Sequence, residues 1–116
     1  MPPDLRTRLA AIFKANPNLL AVEFAYKGRR GDGGLPQIAA RDKSGLPLTL
    51  AALKSPTKLA PEGIVYDALF ALLQALVPGW VLGLGSKGTG TVNRALDVRL
   101  THTAHHIQAV TRTITA

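Results

Sequence analysis

The segment Gly83-Leu84-Gly85-Ser86-Lys87-Gly88-Thr89-Gly90-Thr91 spells G-x-G-x-x-G, the glycine spacing of a dinucleotide-binding turn, in a setting where such a turn does not work. That turn needs a strand before it and a helix after it, because the helix N-terminus faces the pyrophosphate. Here only Trp80-Val81-Leu82 precedes the glycines, too short for a nucleotide-fold strand, and the strand-like run Val92 to Leu100 follows them. The chain is thereby steered away from parallel nucleotide folds, and the glycines read as a flexible connection between a helix and a hairpin.

Periodicity supplies the rest of the architecture. Leu5, Leu9, Ile12 and Phe13 recur at helical spacing, with Asp4 in the first turn and Asn16-Pro17 as the stop. From Asn18 the period changes to two: Leu20, Val22, Phe24 and Tyr26 alternate with Ala21, Glu23, Ala25 and Lys27, the pattern of a half-buried strand. The glycine-rich stretch Gly28 to Gly34 predicts a turn, with extended structure resuming from Leu35 to Arg41. After a second turn at Asp42-Lys43-Ser44-Gly45, Leu46-Pro47-Leu48-Thr49-Leu50 reads as an edge strand, since proline cannot donate to a central ladder. Pro61 and Glu62 open a long helix to about Val77, with Ile64, Ala68, Leu72, Ala75 and Leu76 as its core face, widened by Val65, Leu69 and Leu73. A terminal hairpin is expected from Leu96, Val98 and Leu100 and from Val110 and Ile114, its turn near His102, His105 and His106. The order predicts one α+β domain over residues 1–116: an antiparallel sheet of about five strands packed against one long apolar helix and a short N-terminal helix.

Of the 116 residues, 14 are Lys or Arg and seven Asp or Glu, a formal charge of +7 that favours anionic partners. Lys27, Arg29 and Arg30 sit at a glycine-rich turn, where arginine offers bidentate donors to phosphate or to an acidic protein patch; Lys87, Arg94 and Arg99 would join them if the glycine-rich segments share one side of the sheet. Cysteine is absent, which removes disulfide and thiolate chemistry and suits a cytoplasmic protein. The N-terminus shows no secretory h-region. The apolar run Ala68 to Gly85 is broken by Pro78-Gly79, an interruption costly in hydrocarbon, so no membrane span is expected.

The three histidines are the residues best suited to metal binding, but in an extended segment His102 and His106 share a face while His105 points away, and a further ligand such as Asp97 or Asp32 would have to come from elsewhere. A solvated turn titrating near neutrality is the simpler reading. Neither a nucleophile elbow nor paired carboxylates accompany them, so catalytic, metal and cofactor sites are all assigned as none. Among the aromatics, Phe13, Phe24 and Tyr66 are expected in the core and Trp80 at the end of the helix–sheet interface; Tyr26 is the candidate for stacking on a base.

Tyr26-x-Gly28, Gly31-Asp32-Gly33, Tyr66-Asp67-Ala68-Leu69, Pro78-Gly79-Trp80 and Gly85-Ser86-x-Gly88-Thr89, in that order, resemble the bacterial domain-of-unknown-function six-eight-seven-eight family. The resemblance spans about Val22 to Thr115. It implies an α+β fold and a bacterial or mobile-element origin, and it carries no catalytic residues. The chain departs from the family's pattern in its glycine- and lysine-rich loop after Trp80 and in Val110-Thr111-Arg112, where an acidic, aromatic ending is expected.

The expected function is that of a small basic, non-enzymatic binding module that engages nucleic acid or a nucleoprotein complex through Lys27, Arg29, Arg30 and Lys87, with Arg94 and Arg99 in support. The alternative is a protein-interaction accessory, an inhibitor or small subunit, using Phe70 or the edge carrying Leu46 and Leu48, with a second copy of the chain among its candidate partners. A histidine-dependent hydrolase or metal protein is the third reading.

Overall fold

Helix α1 (Pro3–Ala15) begins where proline's missing N–H costs nothing, carries Asp4 in its first turn and Lys14 in its last, and buries Leu5, Leu9, Ile12 and Phe13. Asn16 closes it. The Asn16 amide nitrogen donates to the carbonyls of Ile12 (2.9 Å) and Lys54 (2.8 Å), and its oxygen accepts from the Lys54 N–H (2.6 Å), tying the helix end to a distant connector. The computed structural model describes residues 1–81, 85–104 and 110–116.

The remaining elements are β1 (Leu19–Arg29), β2 (Asp32–Asp42), β3 (Pro47–Leu48), α2 (Pro61–Leu76), β4 (Ser86–Asn93), β5 (Val98–Ala104) and β6 (Val110–Thr115). The strands form one antiparallel sheet in the order β3-β2-β1-β4-β5-β6, and α1 and α2 contribute to a core on one of its faces. The α+β class is as expected, but the sheet has six strands instead of five. The extra strand is the glycine-rich segment itself: Ser86–Asn93 is no flexible connection but a central strand paired with β1 and β5. The expected strand from Val92 to Leu100 is divided by a turn at residues 94–97, where Asn93 Oδ1 accepts the Asp97 N–H (3.0 Å) and Leu96 adopts a positive φ of 62°.

Glycine serves in β4 because aromatic side chains of β1 lie across it. A Cβ on Gly88 would come within 2.5 Å of Tyr26 Oη, and one on Gly90 within 2.6 Å of Phe24 Cζ. The inner face of β4 is thus filled from its neighbour. The same holds for the β1–β2 hairpin, where the turn is only Arg30-Gly31, with φ of 52° and 84°, and Gly28 and Gly33 are strand residues beneath Trp80 and Val81. The Gly31 N–H donates to the Val81 carbonyl (2.7 Å), and Ser86 Oγ donates to the Trp80 carbonyl (2.6 Å), so the segment after α2 caps this end of the sheet. Trp80 is buried edge-on against Tyr26 and Phe70, as the sequence suggested for a residue closing the core.

Three smaller corrections concern faces. A register shift between Leu19 and Ala21 buries Leu19 and turns Leu20 outward, breaking the alternation at its first member. On α2 the buried stripe is Val65, Ala68, Leu69, Leu72 and Leu73; Ala75, expected in the core, is exposed, and Ile64 and Leu76 are only half-buried at the stripe's margins. The edge strand expected from Leu46 to Leu50 shrinks to Pro47–Leu48, since Leu50–Ala52 turns into a short 3-10 helix. Among the described residues no helix is long and apolar enough to cross a membrane.

Candidate functional site: the open face of the sheet

With both helices packed on one face, the alternation of each strand decides what the opposite face carries. Buried Val22, Phe24 and Tyr26 on β1 send Glu23, Ala25, Lys27 and Arg29 outward. The pairing then fixes three rows across the sheet. Ala39, Glu23, Thr91, Arg99 and Thr115 form one; Gln37, Ala25, Thr89, Thr101 and Thr113 the next; Lys27, Lys87, Thr103 and Thr111 the third. The members of the first two rows on β2, β1, β4 and β5 line a shallow trough of about 380 Å³.

The two glycine-rich segments do meet. Lys27 stands directly opposite Lys87, both exposed, at a cross-strand Cβ separation of about 5 Å. Arg29 lies one outward position further along β1, and Arg30 projects from the turn beyond it. Like charges opposed in this way are unfavourable until an anion or solvent screens them. Arg99 lies at the other end of the face, four residues along the ladder from the lysine pair, or about 13 Å. Arg41 also emerges here, 3.6 Å from Glu23, an exposed pair that holds little energy but neutralises that carboxylate. Asp32, across from Arg29, is the other acid of the face.

Arg94 does not belong to this surface. It is half-buried, its Nε donating to the Leu19 carbonyl (2.9 Å), its Nη2 to the Asn16 carbonyl, and its guanidinium 5.6 Å over the Phe13 ring. Its charge is used to join the β4–β5 turn to the α1–β1 junction. Phe70 is likewise engaged, half-buried against Trp80 and Tyr66, and Leu48 packs on the core; Leu46 is 61% exposed in its turn.

Tyr26 is not available for base stacking, being only 2% exposed. Every Phe, Tyr and Trp side chain among the described residues packs in or against the core, and the strand-face pattern offers none to a base. Its hydroxyl is joined to His102 Nδ1 by a 2.7 Å hydrogen bond, and the two rings stack at 15°. His102 is therefore no turn residue: it sits in β5 opposite Gly88, whose missing side chain leaves room for the pair. Burial pushes the Tyr26 phenol up to about 12, against a smaller opposing influence of the Arg112 charge. Burial first, and the Arg112 charge second, hold the His102 imidazole below its usual value. His105 and His106 lie outside the described residues; among the described residues no cluster of three metal-ligating side chains forms.

The sequence reasoning missed the threonines of this face. Thr89-x-Thr91, Thr101-x-Thr103 and Thr111-x-Thr113-x-Thr115 are period-two runs of a β-branched polar residue, the signature of a solvent-facing strand surface. No protein-family model, curated protein or solved structure matches the chain.

Proposed function

We propose that this chain is a non-enzymatic cytoplasmic module that holds nucleic-acid backbones on the open face of its sheet. The observation that carries the reading is the Lys27–Lys87 pair, flanked by Arg29 and the Arg30 turn, on a face where Arg41 already occupies Glu23. A phosphate placed between the two ammonium groups would convert a repulsive cross-strand pair into two charge-assisted contacts. The threonine hydroxyls of the neighbouring rows are suited to further phosphate or sugar contacts, and Arg99 to a second phosphate along the strand. With no Phe, Tyr or Trp among the described residues of the face, it offers no aromatic platform for bases, so the contacts would be chiefly to backbone and carry little sequence preference.

The test is a binding series with labelled single-stranded and duplex DNA and RNA of unrelated sequences. The reading requires affinities independent of sequence that fall steeply as salt rises. Absence of binding near physiological salt, or affinity insensitive to salt, would refute it.

A further inference from the structure

The two edges of the sheet are treated differently. On one side β2 carries Pro36 and is partly covered by the two-residue β3 with Pro47, the kind of interruption that keeps a sheet from extending. On the other, β6 reads Val110-Thr111-Arg112-Thr113-Ile114-Thr115, six residues of high strand propensity without proline, and no described residue pairs with its outer side.

Which backbone groups that edge offers follows from the ladder. Val98 and Ala116 exchange both hydrogen bonds, at 3.1 and 3.0 Å. Antiparallel pairs alternate, so Ile114, Arg112 and Val110 also bond inward to β5, while Thr111, Thr113 and Thr115 aim their N–H and C=O groups away from the sheet. We infer that this edge is a self-pairing surface: two copies of the chain join β6 to β6 antiparallel about a two-fold axis at Thr113.

The register is selected by the sequence. Centring the axis on Thr113 places Thr113 opposite its own copy and Thr111 opposite the partner's Thr115, so all six outward groups of each strand are used. Shifting the axis by one residue toward Arg112 leaves Thr115 without a partner among the described residues and sets the two Arg112 side chains against each other, which like charge disfavours. In the Thr113 register each Arg112 meets Ile114 instead. Cross-strand threonine contacts already exist inside the sheet, where the Thr103 and Thr111 hydroxyls lie 2.7 Å apart at a non-hydrogen-bonded position. Lys87 and Lys27 sit two and three strands inward, roughly 10 and 14 Å away and beyond the screening length of about 8 Å, so the repulsion that salt must screen comes from Arg112 on β6 and Arg99 on the adjoining strand. Two six-stranded sheets would fuse into one, with both open faces on the same side. The inference stands apart from nucleic-acid binding, and salt separates them: self-pairing of like-charged chains strengthens as salt rises, whereas phosphate binding weakens.

Light scattering between about 10 µM and about 1 mM chain reads the association directly. The expected mass rises with concentration from one chain to two and no further, and Thr113→Pro, which removes an outward N–H and no bond to β5, holds it at one chain. Because the sequence has no cysteine, single cysteines test the register in folded protein should the proline variant fail to fold. Thr113→Cys should oxidise to a covalent dimer, since hydrogen-bonded partners have Cα atoms about 5.5 Å apart, within disulfide range. Thr111→Cys should not link to itself but should link to Thr115→Cys when the two are mixed. A mass of one chain throughout, or equal linking by all three cysteines alone, would overturn the inference.

Discussion

Replacing Gly88 by alanine tests whether the glycines of β4 are there for close approach or for flexibility. The added Cβ would lie 2.5 and 2.6 Å from Tyr26 Oη and Cζ and closer still to the Thr101 carbonyl oxygen, a backbone atom of the adjoining strand that has little freedom to retreat. Overpacking of this kind costs about 1–3 kcal/mol. If Tyr26 yields, its hydrogen bond to His102 is lost in a buried setting, a further cost of about 1–3 kcal/mol. Alanine recovers about 0.5–1 kcal/mol of backbone entropy relative to glycine. The balance is a loss near 3 kcal/mol, a substantial part of the 5–15 kcal/mol typical of a domain. Urea unfolding followed by the fluorescence of Trp80, which packs against Tyr26, measures it directly. Gly63→Ala is the control: nothing lies within 4 Å of its Cβ position on exposed helix, and it should gain up to about 1 kcal/mol. Gly88→Ala as stable as the parent chain would refute the argument.

Three further outcomes follow from the same geometry. The lowered His102 value means that the unfolded chain binds more protons below about pH 6.5, so stability should fall as pH drops through 6.5 toward the depressed folded value, with a slope of at most about 1.4 kcal/mol per pH unit; the raised Tyr26 value makes it fall again between about pH 10 and 12. Both trends should vanish from urea midpoints measured across pH in a Tyr26→Phe, His102→Phe double variant that still folds. Arg94→Ala should cost about 1–3 kcal/mol in urea unfolding by removing the donor to the Leu19 carbonyl and leaving the Asn16 carbonyl only the Leu19 N–H, and leave polyanion affinity within about twofold of the parent. Arg30→Asn should raise the thermal midpoint by relieving a positive φ at the first turn position, a gain of up to about 1 kcal/mol.

The two helices were legible because their ends carry local chemistry: Pro3, Asp4 and Asn16 bracket α1, and Pro61 with Glu62 opens α2. β1 announced itself through Val22, Phe24 and Tyr26, whose own side chains fill the core. β4 did not, because Gly88 and Gly90 supply no apolar alternation; their share of the core comes from β1, a fact stored in the pairing and not in the local sequence. The basic cluster was half legible. Lys27, Arg29 and Lys87 could be named from composition, but only the register showed the two lysines facing each other, and only the fold distinguished them from Arg94, whose donors are consumed by backbone carbonyls. His102 looked like a turn residue from its neighbours in sequence, whereas its position opposite Gly88 and beneath Tyr26 depends on strands far apart along the chain.

The central claim is that Lys27, Arg29 and Lys87 neutralise phosphates on the open sheet face, and the salt slope of nucleic-acid binding measures that most directly. Each phosphate neutralised contributes about 0.9 to the log–log slope on duplex DNA and about 0.7 on single strands. With one phosphate held between the two lysines and one by Arg29, replacing the three residues together by alanine, in protein shown to remain folded, should lower the slope by about 1.8 on duplex and about 1.4 on single strands and weaken binding equally for all sequences. An unchanged slope in the folded triple variant would place the phosphate contacts elsewhere and contradict the account.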